Sequence, residues 1–266
     1  MLERVSDGSE KEKATVDLIV GGYFFAMRAC EFCSTESPGV SKPLSTDSVE
    51  FRRKGGSVIH IDDPALAQES ETVTITFVNQ KNGTKGEKRS LKKTGEGLFC
   101  PVGAWARISK RVRSIRRQGP IRMNLYRNGG GEIVEIRSKD VINMMRESCE
   151  VQDGYNKYGI RPEELGTRSI RSGAAMALAL QKDASDKKIM MHGRWKSDAF
   201  LKYIRPQVIE FAGDAAEIMT RTHSFRDIES DGTPNTKPKH LASTELTNPR
   251  TSKTVDESVG EGKPRK

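Results

Sequence analysis

Residues 166–205 read GTRSIRSGAAMALALQKDASDKKIMMHGRWKSDAFLKYIR. Arg171 opens a run of small residues, 172–180, in which Gly173, Ala174 and Ala175 suit a helix packed closely on its neighbour. Further along, residues 196–204 carry Ala199, Phe200 and Ile204 at helical spacing. That pattern predicts a short amphipathic helix holding Tyr203 at a defined place. Arg171 and Tyr203 make a chemical pair. A tyrosine hydroxyl is a poor nucleophile until one group activates it and another neutralises the phosphate it attacks. Arginine suits the second task, because its planar fork binds two phosphate oxygens at once and keeps its charge.

Upstream, residues 23–31, YFFAMRACE, put Arg28 and Glu31 in an Arg-x-x-Glu spacing. They lie within residues 14–32, where Val16, Ile19, Val20, Tyr23, Phe24 and Met27 recur at helical spacing and predict one helix. Residues 73–78, VTITFV, read as a strand, and NQKNGTKGEKR reads as the turn after it. Downstream stand Arg168-Ser169-Ile170-Arg171, then Gly193-Arg194-Trp195, then Tyr203. Together and in this order, the pieces resemble the catalytic domain of the tyrosine recombinases, the phage-integrase family, over residues 15–212. The wording GRWKSDAFLKYIR is most similar to recombinase-like genes of eukaryotic mobile elements of the Crypton and DIRS kind.

The resemblance implies an α+β fold, mostly helical, with a small antiparallel sheet. It also implies a transesterification on duplex DNA, in which Tyr203 forms a 3′-phosphotyrosyl link. Arg28 and Arg171 would stabilise the charge on the phosphate oxygens. Lys81, with Lys85 second, would protonate the departing 5′ oxygen. No metal and no cofactor is implied, because the guanidiniums supply the positive charge. Self-association on DNA, as a tetramer, is the family's expectation. The sequence departs from the family at Arg168, where the family has histidine, since arginine cannot accept a proton near neutral pH. At the later position Arg194 holds the family register relative to Tyr203, and Trp195 is one residue off. A polar stretch, 1–14, precedes the first motif where the family carries a helical clamp domain, so weaker grip on DNA is expected.

Composition points the same way. The chain has 266 residues, a net charge of +9 and a pI near 9.4, which favours a polyanionic partner. Residues 101–118 sharpen this. Trp105, Ile108, Val112 and Ile115 form an apolar stripe, while Arg107, Lys110, Arg111, Arg113, Arg116 and Arg117 carry charge with no acid among them. Arg107, Lys110 and Arg111 are therefore candidate contacts to the DNA backbone, together with Lys85. Cys30 and Cys33 have metal-ligand spacing, but Cys100 and Cys149 are isolated, so buried thiols are the expectation. The polar N-terminus and the lack of a long apolar run predict an intracellular protein with no membrane partner, nuclear if eukaryotic.

The expected organisation is a polar leader at 1–14, the catalytic domain at 15–212 and a largely disordered tail at 213–266. Strands are expected near 49–53, 57–61 and 73–78, and further helices at 101–118, 140–148 and 166–180. Plainer roles stay open for single residues. Tyr203 could only pack, Arg28 could pair with Glu31, and Lys81 could be a solvated turn lysine with Lys85 or Lys88 in its stead. The cationic helix could be a solvated face, and His192 an ordinary surface residue. Beside the strand-exchange enzyme stand a catalytically impaired DNA-binding relic of the same fold and a type IB topoisomerase-like enzyme.

Overall fold

The computed structural model describes residues 1–36, 41–78, 80, 83–115, 118–180, 185–197 and 200–201, all within the unit Met1–Ala216. It is α+β, with helices around a small antiparallel sheet. A short α1 (Arg4–Asp7) leads into α2 (Glu10–Phe24), which is central. Ser9 caps α2 through a capping box: its hydroxyl accepts from Glu12 N–H, and the Glu12 carboxylate accepts from Ser9 N–H. Residues from Ala14 to Gly22 are buried all round, because α2 packs against α5, α6 and α8 at once.

The expected single helix over 14–32 is broken. Phe25, Ala26 and Met27 are all fully buried, and three successive residues cannot share one helix face. The backbone answers by turning at Ala26, which takes the left-handed conformation at φ 45°. Arg28 therefore precedes the next helix, α3 (Ala29–Phe32), instead of lying inside a long one.

The sheet has the order β2-β1-β3-β4, from β1 (Val49–Arg52), β2 (Val58–Ile59), β3 (Thr72–Phe77) and β4 (Glu87–Lys92). A short helix, α4 (Leu66–Glu69), lies between β2 and β3. In β3, Val73, Ile75 and Phe77 point into the core while Thr72, Thr74 and Thr76 face out. β4 pairs with β3 from Thr72–Lys92 to Phe77–Glu87. From sequence alone the start of β4 belongs to the turn, because EKRSLK lacks the apolar alternation that marks strands. It is an edge strand, where charge is favoured.

Next comes α5 (Pro101–Arg113), with Cys100 as N-cap and proline in its first turn. Its stripe of Trp105, Ile108 and Val112 is fully buried, as the spacing predicts. A hairpin of β5 (Leu125–Arg127) and β6 (Ile133–Glu135) follows, closed by a turn in which Asn128 Oδ1 accepts from Gly130 and Glu132 N–H. The remaining helices are α6 (Ser138–Val151), α7 (Gly154–Tyr158), α8 (Thr167–Ala179) and α9 (Asp186–Gly193). Among the described residues no helix is long and apolar enough to cross a membrane.

Candidate functional site

Segments far apart in the sequence meet around the loop after α2. Arg171, in the second turn of α8, donates from Nη1 to the carbonyl of Ala26, 145 residues away in sequence. Its Nη2 donates to the carbonyl of Gly193, the last residue of α9. The same guanidinium lies over the Trp195 ring, 4.2 Å from its centroid. Arg171 is buried, and carbonyl acceptors plus an aromatic face are what a buried guanidinium requires.

Arg194 caps α9 in the left-handed conformation at φ 59° and turns its side chain inward. Nη2 lies 3.0 Å from Glu31 Oε2, Nη1 3.3 Å from Glu31 Oε1, and the carbonyls of Phe25 and Ala26 accept from Nη2 at 3.4 and 3.3 Å. The guanidinium rests on the Phe77 ring, with its carbon 3.4 Å from the centroid. Burial pushes its pKa down and the Glu31 carboxylate opposes that. Arg28 meets the same carboxylate: its N–H donates to Oε2 at 2.8 Å and Nη1 to Oε1 at 3.1 Å. The Arg28 side chain keeps 23% of its surface exposed, against 3% for Glu31 and 0% for Arg194. Arg28 is thus the member of this trio that reaches solvent.

The sequence-predicted residues divide accordingly. Arg28, Arg171, Arg194 and Trp195 come together. Arg194 acts as the internal partner of Glu31, so of the two candidates for the later motif position it is Trp195 that remains half-exposed. Arg168 stands exposed on the first turn of α8, with no side-chain partner among the described residues. Lys81 and Tyr203 lie outside the described residues. Lys85 is exposed between β3 and β4.

The cationic helix needs correction. Arg107 Nε lies 2.7 Å from Asp17 Oδ1, and Arg111 Nη2 2.6 Å from Asp17 Oδ2, with the Asp17 side chain fully buried. Both arginines therefore neutralise an acid inside α2, and Arg113 pairs with Asp62. Lys110 is exposed and stays a candidate for contact with phosphates. The clue was present in the sequence: an aspartate in the apolar run ATVDLIV has to find cations.

Other contributors were not anticipated. His192 is half-buried, not a surface residue, with Nε2 2.7 Å from the Phe24 carbonyl. Arg89 of β4 donates from Nε to the Met191 carbonyl at 2.8 Å, which ties the β3–β4 hairpin to the end of α9. There a cation also meets the negative end of the helix dipole. Beside this join is a cleft of about 350 Å³ lined by Thr84, Glu87, Arg89, Lys187, Arg194, Trp195 and Lys196 among others. A larger cavity, about 490 Å³, has an apolar wall including Ile19, Tyr23, Phe99, Met145 and Ile170 and contains none of the arginines. Of the cysteines, Cys33 is fully buried and its thiol is pushed up to about 12, mainly by burial. Among the described residues no cluster of three or more His, Cys, Asp and Glu side chains could hold a metal ion.

The site is thus a convergence of guanidiniums around residues 24–31, bordered by a cation-rich cleft. No family model and no curated protein matches the chain.

Proposed function

We propose that the chain cleaves and rejoins DNA strands through a 3′-phosphotyrosyl intermediate, with the fold of a tyrosine-recombinase catalytic domain. The observation that carries this reading is the meeting of Arg28 with Arg171 and Trp195 around one loop, although the two arginines are far apart in sequence. The adjoining cleft offers a phosphodiester the cations Arg89, Lys187 and Lys196 along its wall beside Trp195, and Arg28 keeps part of its side chain open to solvent. In the proposed step the Tyr203 oxygen bonds to phosphorus while the bond to the 5′ oxygen breaks. Lys81 donates the proton that the departing oxygen takes up, and the tyrosine proton passes to solvent. The arginines stabilise the charge on the non-bridging oxygens, a task in which one donor is worth about 10²–10³ in rate. Duplex DNA is the proposed partner, with tetramers forming on it and a nuclear location in a eukaryotic host.

One observation favours a second reading, a DNA-binding domain of impaired activity. Both Arg171 terminal nitrogens donate to backbone carbonyls, and the Arg194 side chain is sealed on Glu31. Arg171 is also buried, so what covers it has to move before it can meet a phosphate oxygen. The family's proton-accepting histidine is also Arg168 here.

A nicked suicide duplex separates the two readings. The strand-exchange enzyme gives a covalent protein–DNA adduct on a denaturing gel, and Tyr203→Phe abolishes it while binding survives. An impaired binder retains the duplex and gives no adduct with the native tyrosine. An adduct that persists in Tyr203→Phe removes Tyr203 from the mechanism.

A further inference from the structure

His192 lies in the last turn of α9, and its contact with the Phe24 carbonyl joins segments 168 residues apart in sequence. A carbonyl only accepts, so Nε2 carries the proton. Phe24 is the last residue of α2, and the two carbonyls that follow it, on Phe25 and Ala26, are the ones that accept from Arg194 and Arg171. Whatever fixes Phe24 relative to α9 therefore fixes the backbone on which both arginines hang.

We propose that His192 is a positioning residue for the arginine cluster: its neutral ring pins the end of α2 to the end of α9, and protonation of the ring loosens that joint.

The surroundings supply the reason. Arg194 follows α9, Arg171 comes from α8 and Arg89 from β4, so positive charge approaches the ring from three elements. Their counter-ions, Glu31 for Arg194 and Glu87 for Arg89, are bound on those arginines. From α2 the Phe24 carbonyl meets the ring, a dipole and not a charge. Burial pushes the His192 pKa below the ordinary 6.5; the Phe24 bond opposes this, and the arginines reinforce it. With the folded value below the unfolded one, the contribution of His192 to stability is complete above 6.5. It is lost as pH falls through the lowered value. The inference concerns how the cluster is assembled, so it stands apart from the DNA chemistry proposed for it.

The test uses the full chain and needs no substrate. Urea unfolding and acrylamide quenching of tryptophan fluorescence are followed from pH 8 to pH 5. Of the two tryptophans, Trp105 is fully buried, so a rise in quenching reports Trp195. In the native chain the folding constant falls by about tenfold per pH unit inside the window between the two pKa values. Quenching of Trp195 rises with it. His192→Gln keeps an amide donor for Phe24 but cannot be protonated, so both pH responses flatten. His192→Leu loses the donor and is readily quenched at every pH. Identical pH responses in the native chain and His192→Gln overturn the proposal. Should His192→Gln fail to fold, the imidazole protons of the native chain decide by NMR. Of the four histidines, the resonance missing from His192→Leu is that of His192: titration below 6.5 upholds the proposal, and titration at or above 6.5 overturns it.

Discussion

Arg28 and Arg194 share one carboxylate: Glu31 accepts from both guanidiniums, at 3.1 Å from the first and 3.0 Å from the second. The shared acid lies at the bottom of the site with one cation sealed behind it and one reaching solvent. This asymmetry separates the roles of the arginines. Arg194 neutralises Glu31 from within, so Arg28 is not fully cancelled by its own carboxylate and keeps positive charge on the exposed side.

Trp195 is expected to matter as the surface on which Arg171 lies. Trp195→Ala removes the stack and should weaken DNA binding by about 0.5–2 kcal/mol, whereas Trp195→Phe keeps an aromatic face and part of that energy. Gly193→Ala offers an independent check, because its added methyl would lie 1.5 Å from a Trp195 ring carbon and must displace the ring. Fluorescence anisotropy with a duplex should rank Gly193→Ala close to Trp195→Ala. A Gly193→Ala protein that binds like the native chain shows that the stack does not set affinity.

The cationic helix should separate into internal and external charges. Asp17→Asn leaves Arg107 and Arg111 facing a neutral amide in a buried setting, a change of the class that costs about 3–5 kcal/mol. Lys110→Ala touches nothing buried and should change stability by no more than ~0.5 kcal/mol. Its effect belongs in DNA binding, where one lost phosphate contact lowers the salt slope by about 0.9. Urea melts and a salt titration read the two effects separately. An unchanged slope in Lys110→Ala makes this helix a solvated face.

The sequence was most readable where one segment carries its own signal. Alternation in VTITFV placed β3, and the Trp105–Ile108–Val112 stripe placed α5. Where a structure depends on a distant partner, the local pattern misled. The run through Phe24 and Met27 keeps helical spacing, and only burial on several sides forces the turn at Ala26. β4 holds one apolar residue, Leu91, and β5 and β6 are only three residues each, so neither pairing leaves a periodic trace. Arg107 and Arg111 appeared unbalanced because Asp17 lies some 90 residues earlier in the chain. In the same way Arg28-Ala29-Cys30-Glu31 showed that an ion pair was available locally, while nothing local showed that Arg194 would enter it.

That third member leads to the sharpest stability test. Glu31→Gln keeps the shape of the side chain but leaves the Arg194 charge buried without a counter-ion, on the Phe77 ring and two carbonyls. The expected loss is about 3–5 kcal/mol in urea unfolding, the usual cost of breaking a buried pair from one side. Arg28→Ala removes the half-exposed partner and should cost much less, since Glu31 keeps Arg194. The decisive protein is the double variant Glu31→Gln with Arg194→Met. Removing both buried charges and filling the volume with an apolar chain can return stability to near the native value, because the desolvation of both ions is avoided. If the double variant recovers stability, the pair serves the site and not the fold, and DNA binding should stay weak because the loop at Arg28 has lost its anchor. If stability and binding return together, Arg28 is held by the backbone alone and the shared carboxylate does not position it.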